Sequence, residues 1–227
     1  MGETNDLIVL HLGPLLISRT VLASLGVTLV LLVLSRLVTL HPAGRWAAAV
    51  EAVILTMRSA VADVVPPSQV DRVFPMIATL WLFLLVANLM GLVPGLHSPT
   101  GDLSTTAALA LLVFFSVHWF GIRSQGLGPY LRHYLAPTPF MLPFHLVSEL
   151  TRTLALAIRL FGNVMSLEIA AVLVLAVAGF LVPVPLLVLH LIEALVQAYI
   201  FGILALLYIA GGLENQESQT GQNQGEK

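Results

Sequence analysis

Residues 185–211 read PLLVLHLIEALVQAYIFGILALLYIAG, an apolar run long enough to cross the ~30 Å hydrocarbon layer of a membrane. Comparable runs occupy residues 15–40, 72–94, 103–121 and 140–181. A soluble domain cannot hide so much apolar surface, because its outer layer must stay wet. The chain is 58% hydrophobic and 10% charged, with a mean hydropathy of +0.95. These features predict an all-α integral membrane protein, a single membrane domain of five transmembrane helices.

Residues 43–65 are apolar too, but Glu51, Arg58 and Asp63 interrupt the pattern. What remains is an amphipathic helix suited to the membrane interface. The last two spans, 140–181 and 185–211, are divided by Pro183 and Pro185 and form a helical hairpin. The first of them would reach ~60 Å as a straight helix, about twice the hydrocarbon thickness. It must tilt or wrap a neighbour. Residues 1–14 precede the first span, and the Gln/Glu-rich residues 214–227 read as a disordered tail. Glu3 and Asp6, with no early Lys or Arg, do not make the basic start of a signal peptide, so the first residues are expected to stay in the mature protein.

The net charge of −2 says little, since the position of basic residues sets membrane orientation. With the second helix at the interface, Arg36, Arg45, Arg58, Arg72, Arg123, Arg132 and Lys227 share one side. Loops 95–102 and 181–185 carry no Lys or Arg. This predicts an N-terminus outside and a C-terminus in the cytoplasm. The absence of cysteine excludes disulfides, thiol catalysis and cysteine metal sites.

Function is written in the polar residues that the spans retain. The stretch LALAIRLFGNVMSLEIAAVLVLAVAGF, 154–180, carries Arg159, Asn163 and Glu168. A charge at mid-membrane costs at least ~2.5–3.5 kcal/mol, and arginine keeps its proton even when buried. On a helical wheel Ala155, Arg159, Gly162, Ser166 and Ala170 share one stripe, whose small residues admit a neighbouring helix. His145, Ser148 and Arg152 lie near that stripe toward the cytoplasmic end, with Glu149 on its margin, and Glu168 falls on the opposite face. The final span has its own polar face of His190, Glu193 and Gln197. An antiparallel hairpin would pair Arg159 with Gln197, Asn163 with Glu193 and Glu168 with His190 in one register. Carboxylates and histidines exchange protons in wet cavities, and the arginine does not. A fixed cation thus separates a cytoplasmic group (His145, Ser148, Glu149, Arg152) from an outer one (Asn163, Glu168, His190, Glu193, Gln197, with Asp102 in the outer loop). The pattern reads as two aqueous half-channels, between which an ion must travel on a separate carrier.

Several of these residues have structural readings as well. Arg152 with Glu149 fits an interfacial ion pair, and His145 a helix-start residue. Asn88 and Asn163 fit interhelical hydrogen bonding, and Asp102 an N-cap. His11, His41, His97, His118 and His133 read as structural. A self-contained secondary transporter would show internal repeats with paired broken helices, which are not evident. An intramembrane hydrolase would need a motif such as HExxH or GxSxG, and the chain has neither.

At these residues the sequence resembles subunit a of F-type rotary ATP synthases, over residues 72 to 210. The motifs are RLFGN (Arg159 to Asn163), preceded by SELTRTLALAI, and EALVQAYIFGILALLYI (Glu193 to Ile209). ANLMGLVPG (Ala87 to Gly95) and SPTGDLSTTAALAL add support, with Asp102 at an acidic loop position. The resemblance implies that Arg159 is the essential arginine facing the carboxylates of a rotating c-subunit ring. It implies that Glu168 and His190 are a proton-handling pair, that Gln197 lies beside the arginine, and that Ala155, Gly162 and Ser166 touch the ring. The implied partners are the c-ring, peripheral-stalk b subunits, the rest of the synthase and the bilayer of a bacterial inner membrane. The chain would not be an enzyme alone, and no cofactor, metal or nucleic acid is expected. Thr153 follows Arg152 where many relatives have proline. The stretch TRTLALAIRLFGNVMSLEIA is similar to a branch associated with sodium, so proton and sodium both stay open as the coupling ion.

Overall fold

The computed structural model describes residues 8–12, 15–40, 44–93, 96, 98–130, 140, 142–178 and 183–214. The proposed tail beyond residue 214 and His41, His97 and His133 lie outside them, as do the side chains of His11 and Glu168.

Helix begins later than the apolar pattern suggests. Residues Ile8–Leu12 (β1) and Leu15–Ser18 (β2) pair as a short antiparallel ribbon. The sequence between them is Gly13-Pro14, a turn signal. Residues 15–18, assigned above to the first span, therefore belong to the ribbon. Helix α1 opens at Arg19 and runs to Leu40. The Ser18 Oγ accepts from the Val21 N–H at 3.3 Å, which satisfies one of the donors a helix start leaves open.

Helix α2 (Arg45–Ala62) turns into α3 (Pro67–Met90) through a short connection. Proline serves well at the first position of α3, where its missing N–H would have had no partner. A 3₁₀ turn over Pro99–Gly101 leads to α4 (Leu103–Gln125). That helix ends at Gly126, whose φ of 83° suits a residue without Cβ and whose N–H caps the Ile122 carbonyl at 2.8 Å. The hairpin follows as α5 (Leu142–Ala178, 37 residues) and α6 (Pro183–Glu214, 32 residues).

The protein is thus an all-α integral membrane protein with an N-terminal ribbon. Five of its described helices are long and apolar enough to cross a bilayer: α1, α3, α4, α5 and α6. The core lies among α3, α4, α5 and α6, where Ile77, Leu84, Val113, Leu156, Leu160, Phe201 and Ile209 are almost completely buried. Helix α6 packs on α3, α4 and α5, so it is the inner member of the hairpin. Trp81 of α3 fixes its height. The indole lies against Gly202 so closely that any Cβ there would collide with it. Its Nε1 donates to the Tyr199 carbonyl at 3.2 Å. By contrast α1 buries little beyond Val27, and its other apolar side chains face outward.

Candidate functional site: a polar cavity beside an exposed arginine

The final hairpin sets its register through the buried residues of both helices, Leu156 and Leu160 on α5 and Ala198, Phe201 and Ala205 on α6. The outcome differs from polar matching by one helical turn. Asn163, not Arg159, meets Gln197: its Nδ2 donates to the Gln197 Oε1 at 2.6 Å. Arg159 stands one turn earlier on α5 and is exposed. Among the described residues its guanidinium has no hydrogen-bond or ion-pair partner. Around it the helix surface is apolar, with Leu154 52% and Ile158 60% exposed. Ala155 and Ser166 are exposed on the same face, and Gly162 and Ala170 are half-buried there. A Cβ at Gly162 would meet nothing within 4 Å.

Behind this face lies a cavity between α3, α5 and α6. Its polar lining is Asn88, Ser98, Asn163, His190, Glu193 and Gln197. Four of these, Asn163, His190, Glu193 and Gln197, are sequence-predicted outer-group residues, brought together here. Asn88 and Ser98 belong to a buried network on the opposite wall. The Asn88 Oδ1 accepts from Thr100 Oγ1 at 2.8 Å, and its Nδ2 donates to the Ala194 carbonyl at 3.4 Å. Ser98 Oγ donates to the Ala87 carbonyl at 2.8 Å and lies 2.6 Å from Thr100 Oγ1. Gly91 lets the chain close tightly here, since a Cβ would come within 3.1 Å of Ser98.

Two nitrogens at this site lack a protein partner among the described residues, His190 Nε2 and Gln197 Nε2. Both residues are buried, at 8% and 3% exposure. An unsatisfied buried donor or acceptor costs ~1–3 kcal/mol, which water or a passing ion in a polar cavity relieves. The described residues contain no cluster of three His, Asp or Glu that could hold a metal.

Asp102 does not line this cavity. Its Oδ1 accepts from the Ser104 N–H at 2.9 Å, capping α4, and its Oδ2 accepts from Thr20 Oγ1 at 2.8 Å, tying α1 to the loop. Partial burial pushes the carboxyl up, but the hydrogen bonds from Ser104 and Thr20 outweigh that and hold its pKa below the ordinary value. Of the cytoplasmic group, Glu149 and Arg152 line a second, smaller cavity with Thr153 and Tyr208, walled by Val113, Phe114, Val117 and Leu156. The Arg152 guanidinium lies 5.5 Å from the centre of the Tyr208 ring. His145 and Ser148 sit on α5 without lining that cavity.

Sequence reasoning missed Ser98, Thr100, Trp81, Gly202 and Tyr208. Ser98 and Thr100 stand in the SPTGD stretch, and Gly202 and Tyr208 in QAYIFGILALLYI, so the motifs held them without revealing their partners.

These features define a multi-pass helical membrane protein with a polar cavity inside the bundle and an exposed arginine, Arg159, on its flank. The chain belongs to the ATP synthase A chain family, whose family model matches residues 16–210. It is 59% identical over 223 residues to "ATP synthase subunit a 2" of Pelobacter propionicus, covering 96% of both chains. It is 59% identical over 209 residues to "ATP synthase subunit a 1" of Hahella chejuensis, covering 90% of this chain and 88% of the other. It is 61% identical over 167 residues to "ATP synthase subunit a" of Legionella pneumophila strain Corby, covering 74% and 72%.

Proposed function

We propose that Arg159 is the fixed cation of a rotary ion path, separating an outer half-channel from a cytoplasmic one. Family membership makes the chain a non-catalytic, ion-translocating stator subunit of the ATP synthase membrane sector. It sits as a multi-pass protein in the bacterial inner membrane, assembled with the c-ring, the b subunits and the rest of the complex. The N-terminus lies outside and the C-terminus in the cytoplasm, following the basic loops.

The observation that carries this reading is the exposed Arg159, without a partner among the described residues and one turn from a polar cavity. A permanent charge turned toward lipid is costly, so the face needs a covering partner that offers negative charge. The carboxylates of a c-ring meet that need. The ion enters the outer path past Glu168, His190, Glu193, Asn163 and Gln197, and transfers to a ring carboxylate. After nearly a full rotation it leaves by the cytoplasmic path, past Glu149, Arg152, Ser148 and His145. Arg159 repels the cation and pairs with each emptied carboxylate, so no direct leak joins the two paths. Ala155, Gly162 and Ser166 let the ring approach closely. Asp102 shapes the outer entrance by capping α4 and holding α1.

The test is Arg159→Ala in the assembled complex, reconstituted in vesicles. It assembles with the c-ring and loses ATP-driven pumping; full pumping would refute the role. Measuring whether sodium or a protonophore controls pumping by the unaltered complex assigns the ion.

A further inference from the structure

Helix α5 carries a second arginine on the face that exposes the first. Arg152 precedes Arg159 by seven residues, hence two turns and about 10 Å along the axis. A guanidinium left free there would compete for the same carboxylates. That guanidinium is exposed, but it has a partner in the structure. Its charge lies over the Tyr208 phenol of α6, 5.5 Å from the centre. Glu149, one turn earlier on α5, lines the same small cavity as both residues. Tyr208 is itself held in place, half-buried against the apolar core. The contact is therefore made by a fixed aromatic surface and a long, mobile cationic side chain. Cation–π attraction grows as both partners lose water.

We infer that Tyr208 is a positioning residue that holds Arg152 aside, leaving Arg159 the cation presented to the c-ring. This rests on the proposed role of Arg159. It adds that one arginine must be restrained for the other to act, and that the restraint comes from the facing helix of the hairpin. Thr153 supports the arrangement: its Oγ1 donates to the Glu149 carbonyl at 3.0 Å, so α5 continues through the position after Arg152.

The experiment is ATP-driven pumping by the whole complex in vesicles. Tyr208→Phe keeps the aromatic face and retains pumping. Tyr208→Leu removes it, and pumping falls about two- to fivefold, the rate equivalent of losing one cation–π contact to an exposed arginine. Adding Arg152→Gln to Tyr208→Leu removes the released charge and returns pumping to the level of Arg152→Gln alone. A merely structural tyrosine would not be rescued this way. Unchanged pumping in Tyr208→Leu, or a double variant that pumps below Arg152→Gln alone, overturns the inference. Tyr208→Met, of similar bulk but without a π face, is read in the same way if the leucine variant does not assemble. Pumping by Arg159→Ala would instead overturn the underlying reading, whatever the Tyr208 variants do.

Discussion

The two helices of the final hairpin are matched in chemistry and opposed in placement. Each carries ionisable and amide side chains within an apolar sequence. Helix α6 turns His190 and Gln197 inward, where they are buried at a cavity. Helix α5 turns Arg159 outward, onto an apolar face. The difference lies in their neighbours. Helix α6 packs on α3, α4 and α5 with the face that carries its polar groups, and its exposed face, with Val188, Ile192 and Val196, is apolar. The exposed face of α5 carries a cation with no counter-charge among the described residues. The two helices thus differ in which polar groups the described residues bury: the amide and imidazole of α6, and not the guanidinium of α5.

That contrast breaks first at Arg159. Arg159→Ala should abolish coupled transport while leaving the thermal stability of the purified subunit within about 0.5 kcal/mol, as for other exposed positions. A large loss of stability would mean that the arginine is structural. On the inner helix, His190→Ala should slow transport on the order of a hundredfold and alter its pH dependence. Pumping rates unchanged across pH would make His190 a packing residue. Gly202→Leu should act through the fold instead. Forcing a side chain against Trp81 costs ~1–3 kcal/mol, which a thermal melt in detergent reads directly.

Asp102→Ala sharpens the comparison away from the hairpin. Losing the α4 cap should cost ~0.5–2 kcal/mol. The folded-state pKa of Asp102 is lowered, so its stabilisation is present in full above the ordinary aspartate pKa. That stabilisation fades as pH falls through the lower folded value. The variant and the parent should therefore differ at neutral pH and converge in acid, as melts across pH would record. The smallest effect is expected at the exposed pair of Arg58 and Asp71, 2.6 Å apart between α2 and α3. Asp71→Asn should change stability by only ~0–1 kcal/mol.

Much of this architecture was legible because apolar runs of sufficient length have one destination. The start of α3 was not. The apolar run was placed from residue 72, yet the helix begins at Pro67, because a helix can extend beyond the hydrocarbon while its span does not. The ribbon before α1 was hidden because Leu15, Leu16 and Ile17 look alike in a strand and in a membrane helix. At the site, the residue types of the polar groups identified the chemistry, and Asn163, His190, Glu193 and Gln197 do share one cavity. Their pairing could not be read, since it follows from packing at Leu160 and Phe201 and not from polar attraction. Tyr208 escaped notice for a related reason. An aromatic in an apolar helix gives no sign of the cation above it until the two helices are set side by side.

The seat of Trp81 against Gly202 has a mechanical consequence. An indole keyed into the backbone of α6 acts as a dowel: the helix cannot creep along α3 without first lifting the indole out. Thrust along the axis of α6 is thus handed on to α3. The height of α6 against α3 is held because one glycine leaves room for the pin.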